Sequence, residues 1–384
     1  MPWIVPNNRL DTEQREVLDK LLRVRSPHWI RGFAGSGKSV VLIHGLRELL
    51  IQSPGATACV IGFTHSLCDM LRSGLPDNAR HIPVMTYHQF QSRPARFDYI
   101  FVDEVQDLES KVLQLLRQNS GTLVMAGDEE QSIYENRVGP VDIQRITEPA
   151  THSLSSVYRL TEKLKKVVAT ILPKSRVHSA RNARLTADVR LTLAQAANTP
   201  EELSWVCREA NRITSAGDPV AVLFPKRRLI DDFIVRACTD AGVKPPSFEK
   251  GDKGRGTDYE AVNRHLATHG LVFRYLGSGH GRLDDSDRGR IVYLMTYHSA
   301  KGLDFETVFL PGLDARLSIW KSEDEMERRL FYVAATRSRR NLFISYSGTT
   351  PHRFILGMPQ DLIEKIPIRP ASAATPTENF DDIF

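Results

Sequence analysis

Gly32-Phe33-Ala34-Gly35-Ser36-Gly37-Lys38-Ser39 stands between the apolar pair Trp29-Ile30 and the helix-like run Val40–Leu50. A glycine-rich turn that ends a strand and opens a helix lets backbone N–H groups converge on phosphate oxygens, with the helix N-terminus behind them. Gly32, Gly35 and Gly37 supply the turn, Lys38 reaches the β and γ phosphates, and the Ser39 hydroxyl is a magnesium ligand. The stretch predicts a nucleoside triphosphate site at the carboxyl end of a parallel strand.

Outward from the loop, apolar runs of strand length recur. Ala58–Phe63, Phe97–Val102 and Leu123–Asp128 are continuous enough to be covered on both faces, and helical spacing over Leu10–Leu22 places a helix before the loop. The pattern restarts with Val220–Phe224, Ile291–Met295, Thr307–Leu310 and Asn341–Ser345, separated by helical stretches at 201–215, 227–241 and 324–336. Strands alternating with helices predict an α/β fold of two parallel-sheet domains with helices on both faces. The expected division is 1–149 and 150–370, with a small insertion at 244–290 and a disordered acidic tail at 371–384. The Gly- and charge-rich stretch Lys244–Arg290 has two readings, a surface insertion or a small basic contact for nucleic acid.

With 51 basic and 46 acidic residues the formal charge is +5 and the pI about 9.0, an asymmetry compatible with a polyanionic partner but common to many enzymes. The four cysteines are scattered without a Cys-x-x-Cys pair, which favours reduced thiols in the cytoplasm over a disulfide framework or zinc. No run approaches the length of a membrane span, so no membrane role is expected. His65, His88 and His298 are not at metal-ligand spacing.

Asp103 closes an apolar strand and is followed directly by Glu104. The first acid is placed to hold magnesium and the second to orient or deprotonate an attacking water. Together with Lys38 and Ser39 they predict a hydrolase.

These residues, with Ile100–Asp107, Ala126–Tyr134, Leu154–Arg159, Thr296–Phe305 and Glu327–Arg337 in the same order, resemble the motifs of UvrD/Rep-type superfamily 1 helicases. The resemblance runs from Gln14 to Arg337 and implies two RecA-like P-loop NTPase domains that hydrolyse ATP with Mg2+ and translocate on, or unwind, DNA in the 3′ to 5′ direction. It implies that Gln14 reads the adenine edge, that Tyr158 stacks on the base, and that Gln131 senses the γ-phosphate. Arg159 and Arg337 resemble the arginines that the second domain presents across the cleft, and Asp304 stands where the family more often has glutamate on the nucleotide side. Phe63, Thr64, His65, Thr86, Tyr87, His88 and Phe90 match positions that touch single-stranded DNA, with Thr296 and His298 as partners on the second domain. Tyr87 and Phe90 can each stack a base or pack under the loop.

Two departures stand out. Asn136, after Glu135, occupies the place of a base-stacking tryptophan, and the chain has little room for the accessory domains of larger relatives. Single-strand translocation or remodelling of a bound complex is thus nearly as natural an expectation as robust unwinding of a tailed duplex, and RNA stays open because phosphate contacts do not choose the sugar. A second reading is an ATP-switched nucleic-acid-binding subunit of a larger repair or defence complex. The ending Phe380–Phe384 resembles the tip of bacterial single-strand-binding protein, which implies a docking segment for a protein partner.

Overall fold

A computed structural model describes residues 3–134, 137–182, 188–215, 218–248, 256–283, 289–320 and 324–369. Glu135, Asn136, Lys250–Arg255 and the tail with Phe380–Phe384 lie outside the described residues.

The first sheet contains β1 (His28–Gly32), β2 (Ala58–Gly62), β3 (Val84–Thr86), β4 (Phe97–Val102), β5 (Ser120–Gly127) and β6 (Ala150–Leu154). Its order is β3-β2-β4-β5-β1-β6, with every neighbouring pair parallel. Cys59, Val60 and Ile61 of β2 and Ile100, Phe101 and Val102 of β4 have no exposed surface, which is why their sequence runs apolar without alternation. Because β1 lies between β5 and β6, the turn after it opens where the strand order reverses, the crevice in which such sheets hold ligands.

After β6 the short strands β7 (Ser156–Val157) and β8 (Arg181–Asn182) pair with each other. The second sheet is built from β9 (Arg190–Ala196), β10 (Val220–Phe224), β11 (Phe273–Tyr275), β12 (Val292–Thr296), β13 (Phe305–Leu310), β14 (Ser338–Ser347) and β15 (Glu364–Pro367). Its order, β11-β12-β10-β13-β14-β9-β15, is again parallel throughout. Two parallel sheets flanked by helices are the tandem RecA-like architecture that the sequence predicts.

The described parts of 244–290 do not form a surface insertion. The helix Tyr259–Thr268 buries Tyr259, Val262 and Leu266, and β11 pairs with β12 as the edge of the second sheet. Gly and charge dominate the composition of that stretch, but its apolar minority falls on one face, and burial of that face fixes the segment. All four cysteines are buried free thiols, and burial pushes Cys59 and Cys68 up to about 12. Among the described residues no helix is long and apolar enough to cross a membrane.

Candidate nucleotide cleft and nucleic-acid groove

The phosphate loop takes its shape from two left-handed glycines, Gly35 at φ +74° and Gly37 at φ +83°. Neither position admits a side chain. A Cβ on Gly35 would lie 2.7 Å from that of Arg159, and one on Gly37 would lie 2.4 Å from the Gln14 amide nitrogen. The helix Lys38–Gln52 starts immediately after, and Lys38 Nζ donates to the carbonyls of Gly32 and Phe33 at 2.8 and 2.9 Å. Those bonds keep the ammonium coiled over the loop, where an anion would meet it.

Ser39 Oγ donates to Asp103 Oδ2 at 2.6 Å. Burial, with Glu104 beside it, pushes the Asp103 carboxyl up to about 6. For Glu104 burial also acts upward, but the ammonium of Lys301 and then that of Lys38 outweigh it and hold the carboxyl below its ordinary value. Glu104 is one of three non-glycine residues among those described with positive φ, at +57°. That conformation costs about 1–3 kcal/mol and persists only where the surroundings enforce it. Here the Gln106 amide donates to the Glu104 carboxylate, and the Glu104 backbone N–H donates to Asp103 Oδ1 at 3.0 Å.

A cavity of about 1140 Å3 joins these groups to the second sheet, with Lys38, Ser39 and Glu104 on one wall and Asp304 and Arg337 on another. Arg337 is 1% exposed and donates to the carbonyls of Val333 and Leu303 and, across the cleft, to Gln131 Oε1 at 3.0 Å. Gln131 is fixed in turn by its amide, which donates to Asp128 at 2.7 Å. Arg159, expected across the cleft from the second domain, comes instead from the segment that follows β6 and packs on the phosphate loop. The neighbouring Tyr158 N–H donates to the Gly35 carbonyl at 2.9 Å, and the Tyr158 hydroxyl donates to Asp11. Arg159 forms an ion pair with Asp304, which also accepts from Arg339 at 3.1 Å. Burial, then Arg337 and Arg339, presses the Arg159 guanidinium well below its ordinary pKa, so a nearby anion would relieve it. Gln14 completes a capping box with Asp11 and donates to the Ser36 carbonyl at 3.3 Å, which sets it against the loop.

Lys301 is a residue that the sequence quoted inside a motif without giving it a role. It is 2% exposed and reaches from the second lobe to Asp107, to the Gln131 carbonyl and, at 3.9 Å, to Glu104. Burial pushes the Asp107 carboxyl up to about 7 against the pull of Lys301. The signal was available in principle: a lysine between apolar Ala300 and Leu303, and an aspartate four residues after Asp103, are charges that burial would force to pair.

The expected nucleic-acid residues gather at the ends of β2, β3 and β12. Thr64 and Thr86 cap the helices His65–Ser73 and Tyr87–Ser92 with their hydroxyls. Phe90 has no exposed surface and packs under the loop, because its position on the short helix points it into the core. Tyr87 is 4% exposed and stacks on Phe63 with ring centroids 4.9 Å apart. Phe63 then contacts Tyr134 at 4.4 Å, and Tyr134 contacts His298 of the second lobe at 5.6 Å. Arg137 lies over both the Phe63 and Tyr134 rings, at 5.8 and 5.5 Å. Burial, and secondarily Lys301, lowers His298 to about 4, so it sits in this row as a neutral ring. Thr296 Oγ1 lies 2.9 Å from Ser299 Oγ at the head of the following turn.

Comparisons with known proteins point the same way. The model of the UvrD-like helicase C-terminal domain matches residues 276–349, and that of the viral superfamily 1 RNA helicase core domain matches residues 28–204. The ATP-dependent DNA helicase PcrA of Staphylococcus epidermidis is 39% identical over 100 residues, covering 21% of this chain and 14% of the relative. The ATP-dependent DNA helicase Rep of Buchnera aphidicola is 40% identical over 85 residues, covering 18% of this chain and 13% of the relative. The matched stretch is thus a small share of each curated relative. A solved structure described as that of PRRSV helicase aligns with 90% of this chain and 57% of its own at 17% identity, with a TM-score of 0.44. With the phosphate-loop core matching one helicase model and the second lobe another, the chain has a fold similar to that of the UvrD/Rep-type superfamily 1 helicases.

Proposed function

We propose that the chain is an ATP-driven motor on single-stranded DNA, moving 3′ to 5′, that hydrolyses ATP between its lobes. The observation that carries this reading is Arg337, which lines the cavity of Lys38 and Glu104 while bonding Gln131 of the opposite lobe. A guanidinium that meets the triphosphate only when the lobes approach links hydrolysis to a change in their separation, and a strand gripped on both lobes would then be moved.

In this reading Gln14 and Tyr158 bind the adenine, while Gly32, Gly35, Gly37 and Lys38 cradle the phosphates. Glu104 takes a proton from the attacking water, and Arg159 and Arg337 neutralise charge on the transferred phosphoryl group. The Arg159–Asp304 pair opens when the γ-phosphate arrives, because a triphosphate offers the guanidinium more charge than one carboxylate. Ser39 and Asp103 suit Mg2+: two hard oxygens 2.6 Å apart, with a buried carboxylate driven upward in pKa, match an ion that takes one or two protein ligands and finds the rest in phosphate and water. When bound, the ion supplies charge neutralisation between the β and γ phosphates.

We further propose that the chain divides near 149/150 into lobes of 1–149 and 150–370, with Ala150–Leu154 and the segment through Arg159 packing back on the first sheet, and that a protein partner docks on Phe380–Phe384. Steady-state ATP turnover with and without oligo-dT tests the motor. Strong stimulation is expected, whereas tight ATP binding without turnover would sink it in favour of a switch. Strand displacement on 3′- and 5′-tailed duplexes tests the polarity, oligo-U in place of oligo-dT tests the sugar preference, and deletion of Phe384 tests partner binding.

A further inference from the structure

The chain leaves β6 through Ser155–Arg159, and a single carboxylate of the first lobe holds the start of that stretch. Glu13, in the first turn of the helix Thr12–Arg23, accepts with Oε2 from the backbone N–H groups of Ser155 and Ser156 at 2.9 and 3.2 Å. Its Oε1 accepts from the Ser155 hydroxyl and, at 2.9 Å, from the Arg181 guanidinium. Arg181 stands on β8, where it pairs with Ser156 of β7 and donates its own N–H to the Ser155 carbonyl at 3.1 Å. Four donors thus converge on one side chain from residues between 142 and 168 positions further along the chain.

That set of partners calls for a carboxylate. An ionised acid offers two acceptor oxygens and no donor, whereas an amide in its place would turn an NH2 toward groups that themselves donate. Burial acts upward on the Glu13 carboxyl, but the Ser155 hydroxyl, then the N–H groups of Ser155 and Ser156, and Arg181 outweigh it and hold it below its ordinary value. The helix does not need Glu13 for its own cap, which Asp11 and Gln14 make between them. Ser155 and Ser156 are only half-buried, so without Glu13 their donors turn to water and the stretch loosens while the core stays packed.

What the stretch delivers two residues later is Tyr158. Its N–H donates to the Gly35 carbonyl at 2.9 Å and its hydroxyl to Asp11. A Cβ on Gly37 would lie 3.9 Å from the Tyr158 ring and 2.4 Å from the Gln14 amide nitrogen, so ring and amide stand at the same end of the phosphate loop.

We propose that Glu13 is a positioning residue of the nucleotide site: by gathering Ser155, Ser156 and Arg181 it fixes the Tyr158 ring beside the phosphate loop before a nucleotide arrives. The inference rests on the ATP-binding reading above and deepens it, because a platform already held in place gives up less freedom when the base lands on it.

The test is a double-mutant cycle on the full-length protein, read by equilibrium binding of the fluorescent analogue mant-ATP. Glu13→Ala should weaken binding about tenfold, and Glu13→Gln, which keeps one acceptor oxygen, about threefold; the glutamine variant carries the cycle if the alanine variant does not fold. In a Tyr158→Ala background the further loss should shrink below about twofold, since the ring through which Glu13 acts is gone. The ratio of ATP to GTP affinity in competition should stay that of the unmodified chain, because the Asp11–Gln14 cap is untouched, and Glu16→Ala, an exposed control on the same helix, should change nothing. Unchanged affinity in both Glu13 variants, losses that multiply in the double change, or a collapsed ATP-to-GTP ratio overturns the positioning role while the motor reading stands. The expected pattern in a chain that binds ATP without turning it over keeps the positioning role and removes the motor, and failure of the unmodified chain to bind mant-ATP overturns both.

Discussion

The nucleotide cleft and a smaller cavity of about 550 Å3 at the same lobe boundary, lined by Thr64, His65 and Arg227, are built from opposite materials. In the cleft, charges are desolvated and locked to a partner: Lys301 to Asp107, Arg159 to Asp304, and Arg337 to the neutral amide of Gln131. In the groove, neutral rings and hydroxyls stand beside one exposed arginine. Buried charge makes each cleft residue costly to alter, since the partner left behind has no solvent to turn to. In the groove His65 and Arg227 are exposed and Phe63, Tyr134, Thr296 and His298 only part-buried, so each of these contributes less and the grip is spread over many.

The comparison breaks most sharply at Arg337. Arg337→Ala should lower kcat for ATP by about 10^3–10^5-fold in single-turnover measurements, with a smaller effect on ATP binding, and a loss under tenfold would mean that the guanidinium is structural. Glu104→Gln comes next, at about 10^2–10^4-fold in turnover with nucleotide binding retained by fluorescence titration. Lys301→Ala strands Asp107 in the core and should destabilise the folded chain by about 3–5 kcal/mol in urea unfolding. The double change Lys301→Met with Asp107→Leu should recover most of that loss, and absence of recovery would remove the ion pair from the account. Phe63→Ala, in the groove, should weaken oligo-dT binding by about 1–3 kcal/mol and leave the unfolding midpoint far less changed than Lys301→Ala does.

The smallest effect concerns acid stability. His28 and His152 stack with Nδ1 and Nε2 3.0 Å apart between β1 and β6, and burial, with the neighbouring His28, lowers His152 to about 4. Below the unfolded value of 6.5 the unfolded chain takes up a proton that the folded pair refuses, so stability should fall as pH drops from 6.5 to about 4. Thermal melts of His152→Gln should show a shallower decline over that window than the unmodified chain, and equal slopes would exclude the pair as its source.

The difference between the two regions also explains what could be read in advance. The cleft was legible because its parts are local: Gly32–Ser39 form one turn, Asp103 and Glu104 end one strand, and each short pattern carries its own chemistry. Arg159 was legible as a residue but not by origin. Its delivery by the segment after β6 depends on β6 pairing beside β1, a long-range choice that no local pattern records. Tyr87 and Phe90 sit three residues apart on one short helix, and burial sent Phe90 fully into the core. The stretch 244–290 misled because composition outweighed a sparse apolar face that closes the second sheet.

The amino-acid sequence by itself determined that two parallel sheets would form and that a phosphate loop and paired acids would stand at their strand ends, because strand burial and turn geometry act over a few residues. Tertiary structure alone decided which buried polar groups would meet across the lobes, Lys301 with Asp107 and Arg337 with Gln131, and where Arg227 would face Thr64 over a shared cavity. Those pairings join residues some 160 to 210 positions apart, and the free energy that selects them is desolvation, which exists only once the lobes have packed.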